Sequence, residues 1–140
     1  MNTKLIKVLI GVFALSFIVS CATTESKQDD SDPFMISLKN ECETTNRSLP
    51  LEVAKGVQMD KMQVLPNRVL EFTMTMLDPD MIGIDSDLLK LAIKKEMLND
   101  PEGFDDFIEN DITLKYVIKD INEDIICDFV MEPKDFKNLK

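Results

Sequence analysis

The chain has 140 residues, with 16 Lys plus Arg against 26 Asp plus Glu, and it contains no histidine. Its length suits a single domain, and 44% hydrophobic with 30% charged residues is globular composition, which excludes disorder throughout. The acidity repels nucleic-acid phosphates and anionic headgroups, and the missing imidazole removes Ser-His-Asp and Cys-His catalysis and His-bearing zinc sites.

The first 20 residues carry Lys4 and Lys7 and no acid, followed by an apolar run from Val8 to Val19. A run of about 12 apolar residues is signal-peptide length and short of the roughly 20 needed to span a bilayer. It ends in Ile18-Val19-Ser20-Cys21. Those four residues resemble the bacterial lipobox, and by that resemblance residues 1–20 are a cleavable lipoprotein signal peptide and Cys21 is the acylated new N-terminus. Palmitate and its companion chains on Cys21 would anchor the chain to a membrane, since each buried methylene contributes about 0.8 kcal/mol. The alternatives are an uncleaved anchor helix or ordinary secretory cleavage nearby. Ala22 after the cysteine resembles the outer-membrane sorting pattern, which in a Gram-negative host places the protein in the envelope, facing the periplasm. Once the signal peptide is removed, 14 basic residues remain against 26 acidic ones, a net of −12. Such a charge steers a basic protein partner, or it serves only to keep a tethered domain soluble.

Residues 21–33 are the lipidated cysteine and a polar tether with no large apolar residue before Phe34, a composition that builds no core. The single domain is then expected over residues 34–140. Phe34, Ile36 with Leu38, and Cys42 have the spacing of an amphipathic helix from about Phe34 to Thr45, broken at Leu49-Pro50-Leu51. Met59–Leu65 reads as a strand whose parity changes near Lys61, the sign of a bulge or a late start. After Pro66-Asn67, Leu70, Phe72, Met74 and Met76 alternate with Glu71, Thr73 and Thr75 in a strand from Val69 to Leu77.

Asp85, Ser86 and Asp87 are N-cap residues for a helix from Ser86 to Asn99, with Leu88, Leu89, Ala92, Ile93 and Met97 on its buried side. Phe104, Phe107 and Ile108 form a further helical turn ending before Asp111. Ile112–Lys119 and Ile125–Glu132 alternate as a second hairpin around Asp120–Asp124, and a last short helix involves Phe136. The expected fold is α+β: a four-stranded antiparallel sheet of two hairpins with helices on one face, in the order α-ββ-α(α)-ββ. The layout around Val64-Leu65-Pro66-Asn67, Leu70-Glu71-Phe72 and Ile112-Thr113-Leu114-Lys115-Tyr116 resembles small exported bacterial domains of unassigned function. That resemblance implies fold and location and brings no catalytic residue.

With Cys21 acylated, Cys42 and Cys127 form an even pair in an oxidising compartment, which reads as a disulfide. A bridge would close about 85 residues and contribute roughly 4 to 5 kcal/mol in the chain-entropy model. The alternative is two separate buried thiols. No cofactor or metal site is expected: Asp78, Asp80 and Gly83 match parts of a calcium loop, but Ile82 and Leu89 stand at ligand positions. Met59, Met62, Met74, Met76 and Met131 are assigned to core packing. The function expected is that of a non-enzymatic, lipid-anchored envelope protein that binds another periplasmic or outer-membrane protein, of pilotin-like accessory or immunity type. A carrier of a small apolar ligand, held between sheet and helices, is the alternative.

Overall fold

The computed structural model describes residues 32–79, 83, 85–99 and 102–137. The expected signal peptide, Cys21 and most of the expected tether therefore lie outside the described residues. Helix α1 (Pro33–Asn46) starts where local chemistry dictates. Asp32 caps it by accepting a hydrogen bond from the Phe34 N–H at 2.9 Å, and Pro33 takes the first turn, where its missing N–H costs nothing. Phe34, Met35, Leu38 and Cys42 form its buried stripe. Ile36, expected in that stripe, is 44% exposed, and Met35 fills the core in its place.

Strand β1 (Leu51–Ala54) was not legible: four residues with two exposed and two buried give no alternation. It turns through Lys55-Gly56 into β2 (Val57–Leu65). Gly56 has a φ of +78°, and a Cβ there would meet the Asp78 Cβ at 2.9 Å, so the turn requires glycine. The expected parity change in β2 is a bulge. Met59 pairs with Met74 and Lys61 with Thr73 of β3 (Val69–Met76), which leaves Asp60 as the extra residue. Asn67 and Arg68, both in the left-handed region, make the β2–β3 turn.

Between β3 and β4 (Thr113–Lys119) run α2 (Ser86–Asn99) and α3 (Glu102–Glu109). Then β5 (Ile125–Met131) and the short α4 (Pro133–Lys137) complete the chain. The five strands lie in the order β1-β2-β3-β4-β5. The expected four-stranded antiparallel sheet is corrected in two respects: there are five strands, and β3 pairs with β4 in parallel, from Val69↔Thr113 to Thr75↔Lys119. The reason is the connection. Two helices carry the chain back to the end where β3 began, and a helical crossover delivers the next strand in the same direction.

One face of this mixed sheet holds the core. Leu70, Phe72, Met74 and Met76 of β3 meet Leu114, Tyr116 and Ile118 of β4 and Cys127, Phe129 and Met131 of β5, under apolar residues from α1, α2 and α3. All five methionines assigned to packing are buried there. Across the sheet, Phe72, Tyr116 and Phe129 stack in a row, with ring centroids 5.1 and 5.0 Å apart. Such contacts contribute about 0.5–1.5 kcal/mol each beyond burial.

The expected Cys42–Cys127 bridge is absent: both thiols are free and buried. Cys42 sits on α1, which packs on β2, while Cys127 lies on β5. Helix α1 packs on β2 and not along β5, which lies two strands further across the sheet. Burial pushes the Cys42 thiol up to about 11, with the Glu41 carboxylate adding to the shift. It also raises Cys127. Neither is an activated nucleophile.

Beyond the bulge, β1 no longer covers the edge of β2, and a side chain takes its place. Asn46 Nδ2 donates to the Met62 carbonyl at 2.7 Å, and the Met62 N–H donates to Asn46 Oδ1 at 2.9 Å. The amide thus acts as a one-residue strand. Asn46→Ala leaves both part-buried backbone groups unpaired and should lower unfolding stability by about 2 kcal/mol. Ser48→Ala, at an exposed turn, should change it by less than about 0.5 kcal/mol. Urea unfolding of the two variants checks this, and equal midpoints would contradict it.

Candidate interaction surface

The layer between sheet and helices, where a carrier would hold its ligand, is occupied by the protein's own side chains: Met59, Phe72, Phe107 and Ile112 have essentially no exposure. Among the described residues, no group of three or more Cys, Asp or Glu side chains is placed to hold a metal. The surfaces to consider are therefore the uncovered sheet face and the sheet edges.

The uncovered face is polar and internally paired. Asp60, the bulge residue, accepts from Gln58 Nε2 at 2.6 Å and from Thr75 Oγ1 at 2.7 Å. Glu71, central on β3, accepts from Gln63 Nε2 at 2.6 Å and pairs with Lys115 Nζ at 2.7 Å. Although it is on the open face, Glu71 is only 8% exposed, screened by these long neighbours. The Lys115 ammonium holds its carboxyl below the ordinary value of 4.5, against the opposing effect of burial and with help from Gln63. These groups satisfy one another, which makes the face a closed network.

Asp32, the first described residue, lies at one end of the sheet. Arg68 donates from Nη1 to Asp32 Oδ2 at 2.7 Å and from Nε to the Asn110 carbonyl at 2.7 Å. One guanidinium thus ties the first described residue to the β2–β3 turn and the α3–β4 corner. Burial raises the Asp32 carboxyl, but hydrogen bonds from Arg68 and the Phe34 N–H outweigh it, so the net shift is downward. The acidic β4–β5 turn, Asp120 to Asp124, lies at the opposite end, beyond Lys119 and Ile125.

The two edges differ. On the β1 side the edge is short and closed by Asn46. On the β5 side the strand has seven residues, and no described strand pairs beyond it. The direction of its backbone follows from two hydrogen bonds. The Thr113 N–H donates to the Arg68 carbonyl at 2.9 Å, so odd-numbered residues of β4 turn toward β3 and even-numbered ones toward β5. Tyr116 and Leu114 therefore bond Phe129 and Met131, and the intervening Asp128 and Val130 turn N–H and C=O outward. Glu132, next in that series, donates its N–H to Asp135 Oδ2 at 2.9 Å, not to β4. The side chains of Asp128 and Val130 are exposed on the uncovered face. Helix α2 packs along β5: Lys90 Nζ lies 5.9 Å from the centroid of Phe129, and Lys94 pairs with Asp135 at 3.3 Å. On the outer side of that helix Leu88 and Leu91 are exposed.

No known protein family matches the chain, and no curated protein matches it by sequence. Solved structures do match. The chain shares the fold of two pilotins. EpsS, the pilotin of the Vibrio vulnificus type 2 secretion system, superposes with a TM-score of 0.56 at 14% identity, over 72% of this chain and 89% of that one. The type II secretion system pilotin AspS from Vibrio cholerae gives 0.54 at 10% identity, over 71% and 89%. A Pseudomonas aeruginosa protein described as secreted gives 0.58 at 8% identity, over 81% and 99%. Likeness at such identities establishes fold.

Of the residues singled out from sequence, Cys21 lies outside the described residues, and Cys42 and Cys127 lie apart within the core. Sequence reasoning missed Arg68, whose partners are distant in the chain. It also missed the outer edge of β5, where the signal was the alternation of Asp128, Val130 and Glu132. The depressed carboxyls of Glu71 and Asp32 stabilise the fold above the pKa of the unfolded chain, near 4, and that contribution disappears as pH falls through their lower folded values. The unfolding midpoint should therefore decline below about pH 4.5. The decline should be shallower in Glu71→Gln, and parallel curves for the two proteins would contradict the assignment.

Proposed function

We propose that the chain is a lipid-anchored, non-enzymatic accessory of the cell envelope that holds another envelope protein during assembly. The observation that carries this reading is the fold shared with two secretion-system pilotins over about seven-tenths of the chain. The lipobox-like Ile18-Val19-Ser20-Cys21 and the polar tether support it independently, because both belong to a protein fixed to a membrane by acyl chains on Cys21. In a Gram-negative host the membrane is the outer one and the domain faces the periplasm. A basic partner fits the acidic body.

The structure suits such a role physically. Asp32 and Arg68 fix where the tether leaves the domain, so acyl anchoring restrains the β2–β3 end of the sheet and leaves the β4–β5 end turned away from the attachment point. A partner held by the domain is then concentrated at the membrane without any chemical step.

Cells lacking the gene, complemented with wild type or Cys21→Ser and labelled with a palmitate probe, test this reading. Wild type should take up label and sediment with membranes, and one envelope protein should lose its membrane location in the knockout and regain it only with wild type. Equal labelling of the serine form, or an envelope proteome unchanged by the knockout, would contradict the reading.

A further inference from the structure

We propose that the outer edge of β5 is a docking strand that takes an extended partner segment in which aliphatic residues alternate with basic ones. The inference rests on the accessory reading and names the surface and the chemistry of its partner. Its starting point is the backbone. Asp128 and Val130 turn their N–H and C=O groups away from β4, and no described strand receives them. A segment laid alongside would find paired donors and acceptors at two consecutive outward residues, while the Glu132 carbonyl already accepts the Asp135 N–H at 2.8 Å. The Ile126 bulge at one end and Asp135 on the Glu132 N–H at the other set the length of that stretch.

Charge selects the occupant. On the uncovered face the outward residues run Asp128, Val130, Glu132; Glu132 pairs with Lys134 Nζ, and Asp128 is the exposed acid beside the outward backbone. Two copies of β5 bring no opposite charges together: a pair centred on Phe129 sets Asp128 against Val130. An antiparallel pair centred on Asp128 apposes Asp128 with Asp128, and one centred on Val130 apposes Asp128 with Glu132. Like charges directly opposed are unfavourable. A second copy of this chain therefore gains no charge pairing at this edge, whereas a strand with Lys or Arg on that face gains it opposite Asp128. The other face of the added strand would meet the layer of Phe129, with Lys90 of α2 above it, and aliphatic side chains suit that position. The net charge of −10 would speed the encounter with a basic segment.

This arrangement differs from capture of an amphipathic helix, for which the exposed Leu88 and Leu91 of α2 would be the contact. The experiment separates the two. The full-length chain in detergent is titrated with a capped Lys-Val alternating octapeptide, the same peptide with alternate amides N-methylated, and a Glu-Val octapeptide. Amide hydrogen exchange is followed residue by residue. The Lys-Val peptide should slow exchange at Asp128 and Val130, and the other two should bind at least tenfold more weakly. Asp128→Pro removes an outward donor without breaking a β4 bond, so the variant should fold and bind the Lys-Val peptide at least tenfold more weakly. Val130→Thr, which keeps the backbone and the β-branched shape, should bind within twofold of wild type. Unchanged exchange at Asp128 and Val130 with saturating peptide, equal binding of the Glu-Val peptide, or changes confined to Leu88 and Leu91 would each overturn the proposal. If the peptide result is negative while cells lacking the gene still lose an envelope protein from the membrane, the edge assignment falls and the accessory reading stands.

Discussion

Everything in this domain depends on the parallel pairing of β3 with β4. That pairing is possible only because α2 and α3 return the chain to the β2–β3 turn, where the Thr113 N–H meets the Arg68 carbonyl. It joins what would otherwise be a three-stranded meander and a separate hairpin into one sheet, and it aligns Phe72, Tyr116 and Phe129 as a continuous aromatic row. Tyr116 is the central ring of that row, and its burial pushes its hydroxyl well above the ordinary value for tyrosine. With the apolar row on one side and the Gln63–Glu71–Lys115 network on the other, the centre of the sheet is specified on both faces.

The same pairing determines which strands are left at the edges. On the β1 side the exposed stretch of β2 is guarded by a side chain, since Asn46 supplies Met62 with both of the backbone partners a neighbouring strand would give. On the β5 side the guard is electrostatic. Asp128 finds no opposite charge on a second copy of β5, and the outward backbone is left to a partner that supplies one. The accessory role proposed above calls for such an edge, one that gains little from its own copies and still accepts a foreign segment. Arg68, through Asp32, holds the start of α1 at the opposite end of the sheet from the β4–β5 turn.

Much of this was legible in the sequence where local physics decides the outcome. The alternation of Leu70, Phe72, Met74 and Met76 gave β3 to within a residue, the parity break at Lys61 pointed to a bulge or a late start, and Ser86 to Asn99 gave both ends of α2. What was not legible is long-range. An alternating strand reads the same in either direction, so Ile112–Lys119 gave no sign that it would run parallel to β3. Strand β1 is too short to show a period. The two cysteines were paired on count and compartment, whereas their separation depends on strand order, which no local pattern encodes. The edge of β5 could be seen only after β5 was known to be an edge, although its acid–aliphatic alternation was written in plain residues.

The central claim, that the crossover leaves β5 at the rim with alternate backbone groups facing outward, can be measured in the unbound protein. Native-state amide hydrogen exchange along β5 should alternate, slow at Phe129 and Met131 and fast at Asp128 and Val130. Uniform protection along the strand, or protection at Asp128 and Val130 in place of their neighbours, would contradict the sheet order and the docking edge together.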